Sequence, residues 1–212
     1  AEFPVVEETF REASEAINQD LWALSQNGPA EDLNLTYNTQ PALLTASVAI
    51  WRILKEKCPA MNVVAGAGHS LGEYSALVAA GALDFSDAVR LVKKRGQLMD
   101  AAVPAGQGGM AAVLGLSEEQ IADVCAGAAD AGVVEPANFN APGQIVIAGS
   151  MPAVEKAIEL AKEAGAKRAL PLAVSGPFHS SLMKAAAEEF GEALKAVAFR
   201  APEFKVFHNV DN

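Results

Sequence analysis

The first chemistry legible in this chain is carried by five residues, Gly68-His69-Ser70-Leu71-Gly72. They follow an apolar run, Asn62 to Ala67, that reads as a short buried strand. They lead directly into Glu73 to Ala80, a helical stretch closed by Gly81. A Gly-x-Ser-x-Gly segment between strand and helix is the pattern of a nucleophile elbow. So sharp a turn holds its serine in strained backbone, and side chains at 68 and 72 are expected to collide with neighbouring elements. The geometry would lift Ser70 Oγ clear of the sheet edge and aim the Leu71 amide, at the helix N-terminus, where an oxyanion would form. The same letters fit a glycine-rich helix entry with a capping serine. The strand–turn–helix context favours acyl chemistry.

A serine nucleophile needs a base, and the chain has three histidines, His69, His179 and His208. His69 is the neighbour of Ser70, so its side chain is expected to point away from Oγ. His208 falls in a terminal strand-like run. His179 follows Ser175-Gly176-Pro177-Phe178 and is expected to open a helix ahead of Ser180 and Ser181. A helix N-terminus disfavours the imidazolium and keeps a neutral ring available as base. A helix-capping surface histidine is the alternative. No acid stands out as a third member, so a backbone carbonyl or an amide oxygen could orient the ring.

Arg95 is out of place for a surface cation. The helix expected after a Ser86 cap, from Asp87 to about Ala102, has the apolar stripe Ala88, Leu91, Val92, Leu98, Met99 and Ala102. Arg95 lies four residues after Leu91 and four before Met99, inside that stripe, whereas Lys93 and Lys94 are expected on the solvated side. A guanidinium turned inward needs an anion and satisfied hydrogen bonds. A substrate carboxylate would fit its fork. An internal Asp or Glu, or a side chain that snorkels to water, would also satisfy it.

The elements that must position these residues alternate between helix and strand. Val5 to Ile17 reads as an amphipathic helix, followed by a loop with Asn27-Gly28-Pro29. Pro41 suits a first helical turn, and the helix from there to Lys57 is apolar nearly all round, which predicts a central position. Beyond Pro104 the pattern changes to strand Met110–Leu114, a helix to Ala129 opened by the capping-box pair Ser117 and Gln120, strands 133–139 and 145–148, helix 152–164 and strand 167–173. That β-α-β-β-α-β order is a ferredoxin-like unit. The fold expected is therefore α/β: a parallel-sheet core resembling an α/β-hydrolase with its nucleophile elbow, residues 1–104 and 174–212, and an inserted ferredoxin-like subdomain, 105–173. A helix to Ala196 and a strand Phe204–Val210 complete the core.

Composition narrows the function classes. The chain has 212 residues, 16 basic and 26 acidic, for a net charge of −10. An acidic chain without a basic tract is a poor partner for nucleic acid or an anionic membrane. No apolar run reaches the about 18 residues a membrane span needs. The two cysteines, Cys58 and Cys125, lack CxxC spacing, which argues against a disulfide or a thiolate metal site and for a reducing cytoplasm. No signal peptide is visible at the start. With no initiator Met and a stop in a strand-like run, both ends look cut.

Four segments together resemble the malonyl-CoA:acyl carrier protein transacylase family of bacterial fatty acid biosynthesis. They are Gly68-His69-Ser70-Leu71-Gly72-Glu73-Tyr74-Ser75-Ala76-Leu77, Arg95 in Arg-Gly-Gln-Leu-Met, Asn138-Phe139-Asn140-Ala141-Pro142-Gly143-Gln144, and Ser175-Gly176-Pro177-Phe178-His179-Ser180-Ser181-Leu182-Met183. Thr39-Gln40-Pro41-Ala42-Leu43 adds to them, and the resemblance covers essentially the whole chain. It implies Ser70 as the acylated nucleophile, His179 as its base, the Leu71 amide as half of an oxyanion hole, and Arg95 as the clamp on the malonyl carboxylate. Gln40, Asn138 and Asn140 would lie near the acyl site.

The family pattern also opens with a strand and a Gly-Gln-Gly-Ser-Gln segment, and continues past Asn209-Val210-Asp211 to a glutamine whose carbonyl orients the histidine. Both are absent here. The implied partners are malonyl-CoA and acyl carrier protein, with no cofactor, no metal, no nucleic acid and no membrane, and the chain is expected to be a monomer. Lys162, Lys167, Arg168 and Lys184 are candidates for docking the acidic carrier protein. Two other readings remain at this level: a serine esterase of the α/β-hydrolase type, and an inactive fragment that only binds partners.

Overall fold

A computed structural model describes residues 2–211. In chain order the helices and strands are α1 (Pro4–Ile17), α2 (Leu21–Asn27), α3 (Ala30–Leu33), α4 (Thr36–Lys57), β1 (Ala65–Ala67), α5 (Gly72–Ala79), α6 (Phe85–Ala101), β2 (Gly108–Leu114), α7 (Glu118–Ala128), β3 (Val134–Ala141), β4 (Gln144–Ser150), α8 (Met151–Glu163), β5 (Arg168–Pro171), α9 (Lys184–Lys195) and β6 (Lys205–Phe207). They are divided between two compact units, Ala1–Gln97 with Phe190–Asn212, and Leu98–Glu189. The second unit extends beyond the 105–173 stretch singled out in the sequence, taking in the end of α6 and the segment through Glu189.

In the first unit, α1 packs on α4, burying Phe10 and Ala13 on one side and Leu44, Val48 and Ala49 on the other. Between them the expected loop contains two short helices. Asp20 caps α2 by accepting the Ala23 N–H at 2.8 Å, and Leu21 is fully buried. Helix α4 begins at Thr36 rather than Pro41, because the Leu35 carbonyl takes up the amides of Asn38 and Thr39 and starts the helix five residues earlier. Pro41 therefore lies inside it, at the cost of one amide donor.

Helix α4 is not enclosed all round. Leu43, Ile50 and Leu54 share one stripe and are 54%, 60% and 41% exposed, because among the described residues no element covers that face. Helix α6 starts at Phe85, and its cap is Asp84 instead of Ser86: the Asp84 carboxylate accepts the amides of Ser86 and Asp87. Gly96 on α6 meets α4 backbone to backbone. A Cβ there would lie 2.4 Å from the Tyr37 Cα.

Strand β1 pairs in parallel with β6, Ala65 opposite Lys205 and Ala67 opposite Phe207. Both are shorter than the sequence suggests: residues 62–64 are not strand, and the chain turns into a 3₁₀ segment, Asn209–Asp211, just after β6.

The second unit carries an antiparallel sheet in the order β3-β4-β2-β5, with α7 and α8 against one face, which is the ferredoxin-like arrangement. Its core includes Val113, Ile121, Val134, Ile145, Ile147, Val154 and Ile158. Ser117 and Gln120 form the expected reciprocal capping box. The chain is thus an α/β protein with a parallel and an antiparallel sheet. His179 does not open a helix: a 3₁₀ turn, Ser181–Met183, intervenes before α9, so no helix dipole acts on its ring from an adjoining N-terminus. Its backbone is left-handed instead, with φ 63°.

Candidate active site

The elbow is built from β1, the four-residue turn and α5. Gly68 is forced by packing, since a Cβ there would lie 1.9 Å from the Gly72 carbonyl. Gly72 is not: a Cβ at 72 meets nothing within 4 Å, so the collision expected there does not occur. Ser70 has φ 51°, a left-handed conformation that costs energy for any residue with a Cβ. Leu71 is already helical, at φ −53° and ψ −35°. The next amides turn inward, Gly72 N–H to the His69 carbonyl and Glu73 N–H to the Ser70 carbonyl. Among the described residues, the Leu71 N–H has no acceptor.

Arg95 reaches this turn from α6. Its Nη2 donates to Ser70 Oγ at 3.0 Å, and its Nη1 donates to Gln40 Oε1 at 2.7 Å. The buried Gln40 side chain is fixed in turn by its Nε2, which donates to Thr36 Oγ1 at 3.0 Å. The Tyr74 ring lies under the guanidinium, 5.8 Å from centroid to Cζ. Burial lowers the Arg95 pKa, opposed by the proximity of Tyr74 and Glu73. Burial raises the Tyr74 phenol, and the Arg95 charge pulls it back. The hydrogen-bond partners of the guanidinium, Ser70, Gln40 and the Tyr74 phenol, are neutral, and among the described residues no Asp or Glu forms an ion pair with it. The Glu73 carboxylate acts on the cation from nearby but is itself bonded to His208 and Asn209.

The first unit therefore brings together Ser70, Leu71, Arg95 and Gln40. The second unit carries His179, which is exposed, together with Asn138 and Asn140 on β3. It also carries Lys162 on α8, paired with Glu159 at 2.7 Å, Lys167 just before β5, Arg168 at its first position, and Lys184 at the start of α9, all exposed. Lys93 departs from expectation. It is half-buried, with Nζ donating to Gln19 Oε1 and Asn38 Oδ1 and lying 4.9 Å from the Tyr37 ring centroid, and burial lowers its pKa. Among the described residues, no group of three or more His, Cys, Asp or Glu could hold a metal ion, and no helix is long and apolar enough to cross a membrane.

Residues 3–210 match the acyl transferase domain family. The chain is 58% identical over 214 residues to the malonyl CoA-acyl carrier protein transacylase of Escherichia coli K12, covering 100% of this chain and 68% of that protein. The chain belongs to the malonyl-CoA:acyl carrier protein transacylase family. Solved members of the transacylase family share its fold. An acyl carrier protein S-malonyltransferase from Vibrio cholerae is 58% identical with a TM-score of 0.93, over 99% of this chain and 68% of that one. A malonyl-transacylase in complex with its type II PKS acyl-carrier protein is 56% identical with a TM-score of 0.96, over 99% and 67%. The chain thus spans about two thirds of the length of these relatives.

Three participants escaped the sequence reading. Glu73, His208 and Asn209 tie the elbow to the end of β6. His208 Nδ1 lies 2.7 Å from Glu73 Oε1, and the Asn209 N–H donates to Glu73 Oε2 at 3.1 Å. The Asn209 carboxamide then bonds the turn itself, accepting from Ser70 N–H and donating to the Gly68 carbonyl, each at 2.7 Å. Such pairs are 135 to 141 residues apart in sequence, and nothing local announces them.

Proposed function

We propose that this chain transfers the malonyl group of malonyl-CoA to the phosphopantetheine thiol of acyl carrier protein, through a malonyl ester on Ser70, in fatty acid biosynthesis. The family membership supports the reaction class. The observation that carries the acyl specificity is Arg95 Nη2 at 3.0 Å from Ser70 Oγ with only neutral hydrogen-bond partners. Malonate is a three-carbon diacid. Once its thioester carbon is bonded to Oγ, its free carboxylate cannot lie far from that oxygen, so a guanidinium beside Oγ is within reach of it.

In the first half-reaction His179 takes the Ser70 hydroxyl proton as Oγ attacks the thioester carbonyl. The Leu71 N–H, at the start of α5, stabilises the tetrahedral oxyanion. Collapse breaks the C–S bond, and coenzyme A leaves with the proton returned by His179. In the second, the carrier-protein thiol gives its proton to His179 and attacks the ester carbonyl, and Ser70 Oγ leaves and is reprotonated. Ping-pong kinetics follow. The roles of His179, Asn138 and Asn140 rest on the resemblance of their motifs. The docking roles of Lys162, Lys167, Arg168 and Lys184 rest on their charge, opposite to that of the acidic carrier protein. A reducing cytoplasm fits the two free thiols, Cys58 and Cys125, and the chain is taken to act as a monomer.

Incubation with malonyl-CoA followed by intact mass and peptide mapping tests the reading. A gain of one malonyl group on Ser70, discharged by holo-carrier protein, is expected. An unlabelled serine, or rapid hydrolysis of the ester in place of transfer to thiol, overturns it.

A further inference from the structure

Ser70 pays for its left-handed backbone, and something must hold it there. The residues on either side of the elbow are bridged by one side chain. Asn209, in the 3₁₀ turn after β6, accepts from the Ser70 N–H with Oδ1 and donates to the Gly68 carbonyl with Nδ2, both at 2.7 Å. Carboxamide and peptide are matched in donor and acceptor order, so a single side chain spans the entry and the apex of the turn. Its own backbone is anchored on the far side, where its N–H donates to Glu73 Oε2, and the other carboxylate oxygen of Glu73 meets His208 Nδ1. The first turn of α5 and the end of β6 thus close a loop around the serine.

We propose that Asn209 is a positioning residue for the acylated serine. By occupying the Ser70 N–H it leaves the adjacent Leu71 N–H as the amide open to an oxyanion, and by tethering Gly68 it resists relaxation of φ at Ser70. Its contribution falls on the acylation step and not on binding of the thioester, because it touches backbone of the turn and reaches the substrate only through Ser70. The inference rests on Ser70 being the acylated residue.

The test is single-turnover malonylation of the chain, with wild type, Asn209→Ala and Asn209→Asp compared over a range of malonyl-CoA concentrations and their Tm values recorded. Asn209→Ala loses both bonds and is expected to lower the saturating acylation rate at least about tenfold, the half-saturating concentration staying within about twofold. Asn209→Asp keeps the acceptor for Ser70 N–H but sets a carboxylate oxygen against the Gly68 carbonyl, and an intermediate loss is expected. If Asn209→Ala proves unfolded, the aspartate variant decides. A wild-type acylation rate in whichever variant is folded overturns the proposal while the Ser70 reading stands. A loss confined to the half-saturating concentration overturns it equally. Failure of the wild type to label on Ser70 overturns both.

Discussion

Arg95 donates from Nη2 to Ser70 Oγ while its other terminal nitrogen is held by Gln40. In the proposed reaction this cation would serve two states. Before acylation it would stabilise negative charge developing on Oγ. After acylation it would lie beside the ester, where the distal carboxylate would arrive. An acyl group without that carboxylate would leave a half-buried charge hydrogen-bonded only to neutral groups.

Replacing the arginine tests this selectivity. Arg95→Ala is expected to lower kcat/KM for malonyl-CoA by at least about 100-fold, and to lower that for acetyl-CoA far less, so the ratio of the two collapses. Arg95→Lys keeps the charge but loses the fork, and restores only part of the ratio. Steady-state kinetics with the two thioesters decides; equal losses for both would remove the clamp.

Gln40 holds the guanidinium through a neutral oxygen and leaves its charge uncompensated at that bond. In Gln40→Glu a carboxylate would sit where Oε1 now accepts from Nη1, and would compete with the malonyl carboxylate for the same cation. The half-saturating malonyl-CoA concentration is expected to rise about tenfold or more, with less change for acetyl-CoA. Titration of the single-turnover rate against each thioester measures it.

The two glycines of the serine motif have different jobs. Gly68→Ala forces a Cβ to 1.9 Å from the Gly72 carbonyl and is expected to cost about 3 kcal/mol or more, with loss of Ser70 labelling. Gly72→Ala enters open space at the start of α5 and is expected to leave stability within about 0.5 kcal/mol. Urea unfolding of both variants checks the contrast; equal destabilisation would mean that the turn is packed differently.

Cys125 offers a pH handle in the second unit. Burial, with Glu135 adding to it, pushes its thiol from 9.0 up to about 11. The folded chain therefore holds this proton more tightly than the unfolded chain. Stability from the site is full below pH 9.0, is lost as the pH rises towards about 11, and levels off above, for a total on the order of 2–3 kcal/mol. Cys125→Ala is expected to flatten that alkaline decline in urea midpoints. A disulfide reagent at pH 8 should titrate only the exposed Cys58 in the folded chain and both thiols in urea.

What the sequence discloses here follows from the range of the forces involved. The elbow, the Ser117–Gln120 box and the alternating strands of the second unit are set by neighbours a few residues apart, and they can be read off the letters. Arg95 was legible because a charge interrupting an apolar stripe contradicts its own helix. The Lys93 side chain broke the same logic in reverse: two polar residues far off in the chain, Gln19 in the turn before α2 and Asn38 on α4, give its ammonium acceptors inside. Asp84 displaced Ser86 as cap because its carboxylate reaches two amides. Asn209 was invisible because its partners follow the same end of the neighbouring parallel strand, about 140 residues away in the chain, which no local pattern encodes.

One hydrogen atom, where a side chain would otherwise stand, sets how closely α4 and α6 approach. Gln40 stands on one helix and Arg95 on the other, and the spacing of the two is fixed one residue away, where Gly96 lets backbone rest on backbone against Tyr37. Any bulkier residue at 96 would wedge the two helices apart and carry Arg95 away from Gln40, so in the proposed reaction the grip on a diacid could be retuned from outside the cluster that makes it.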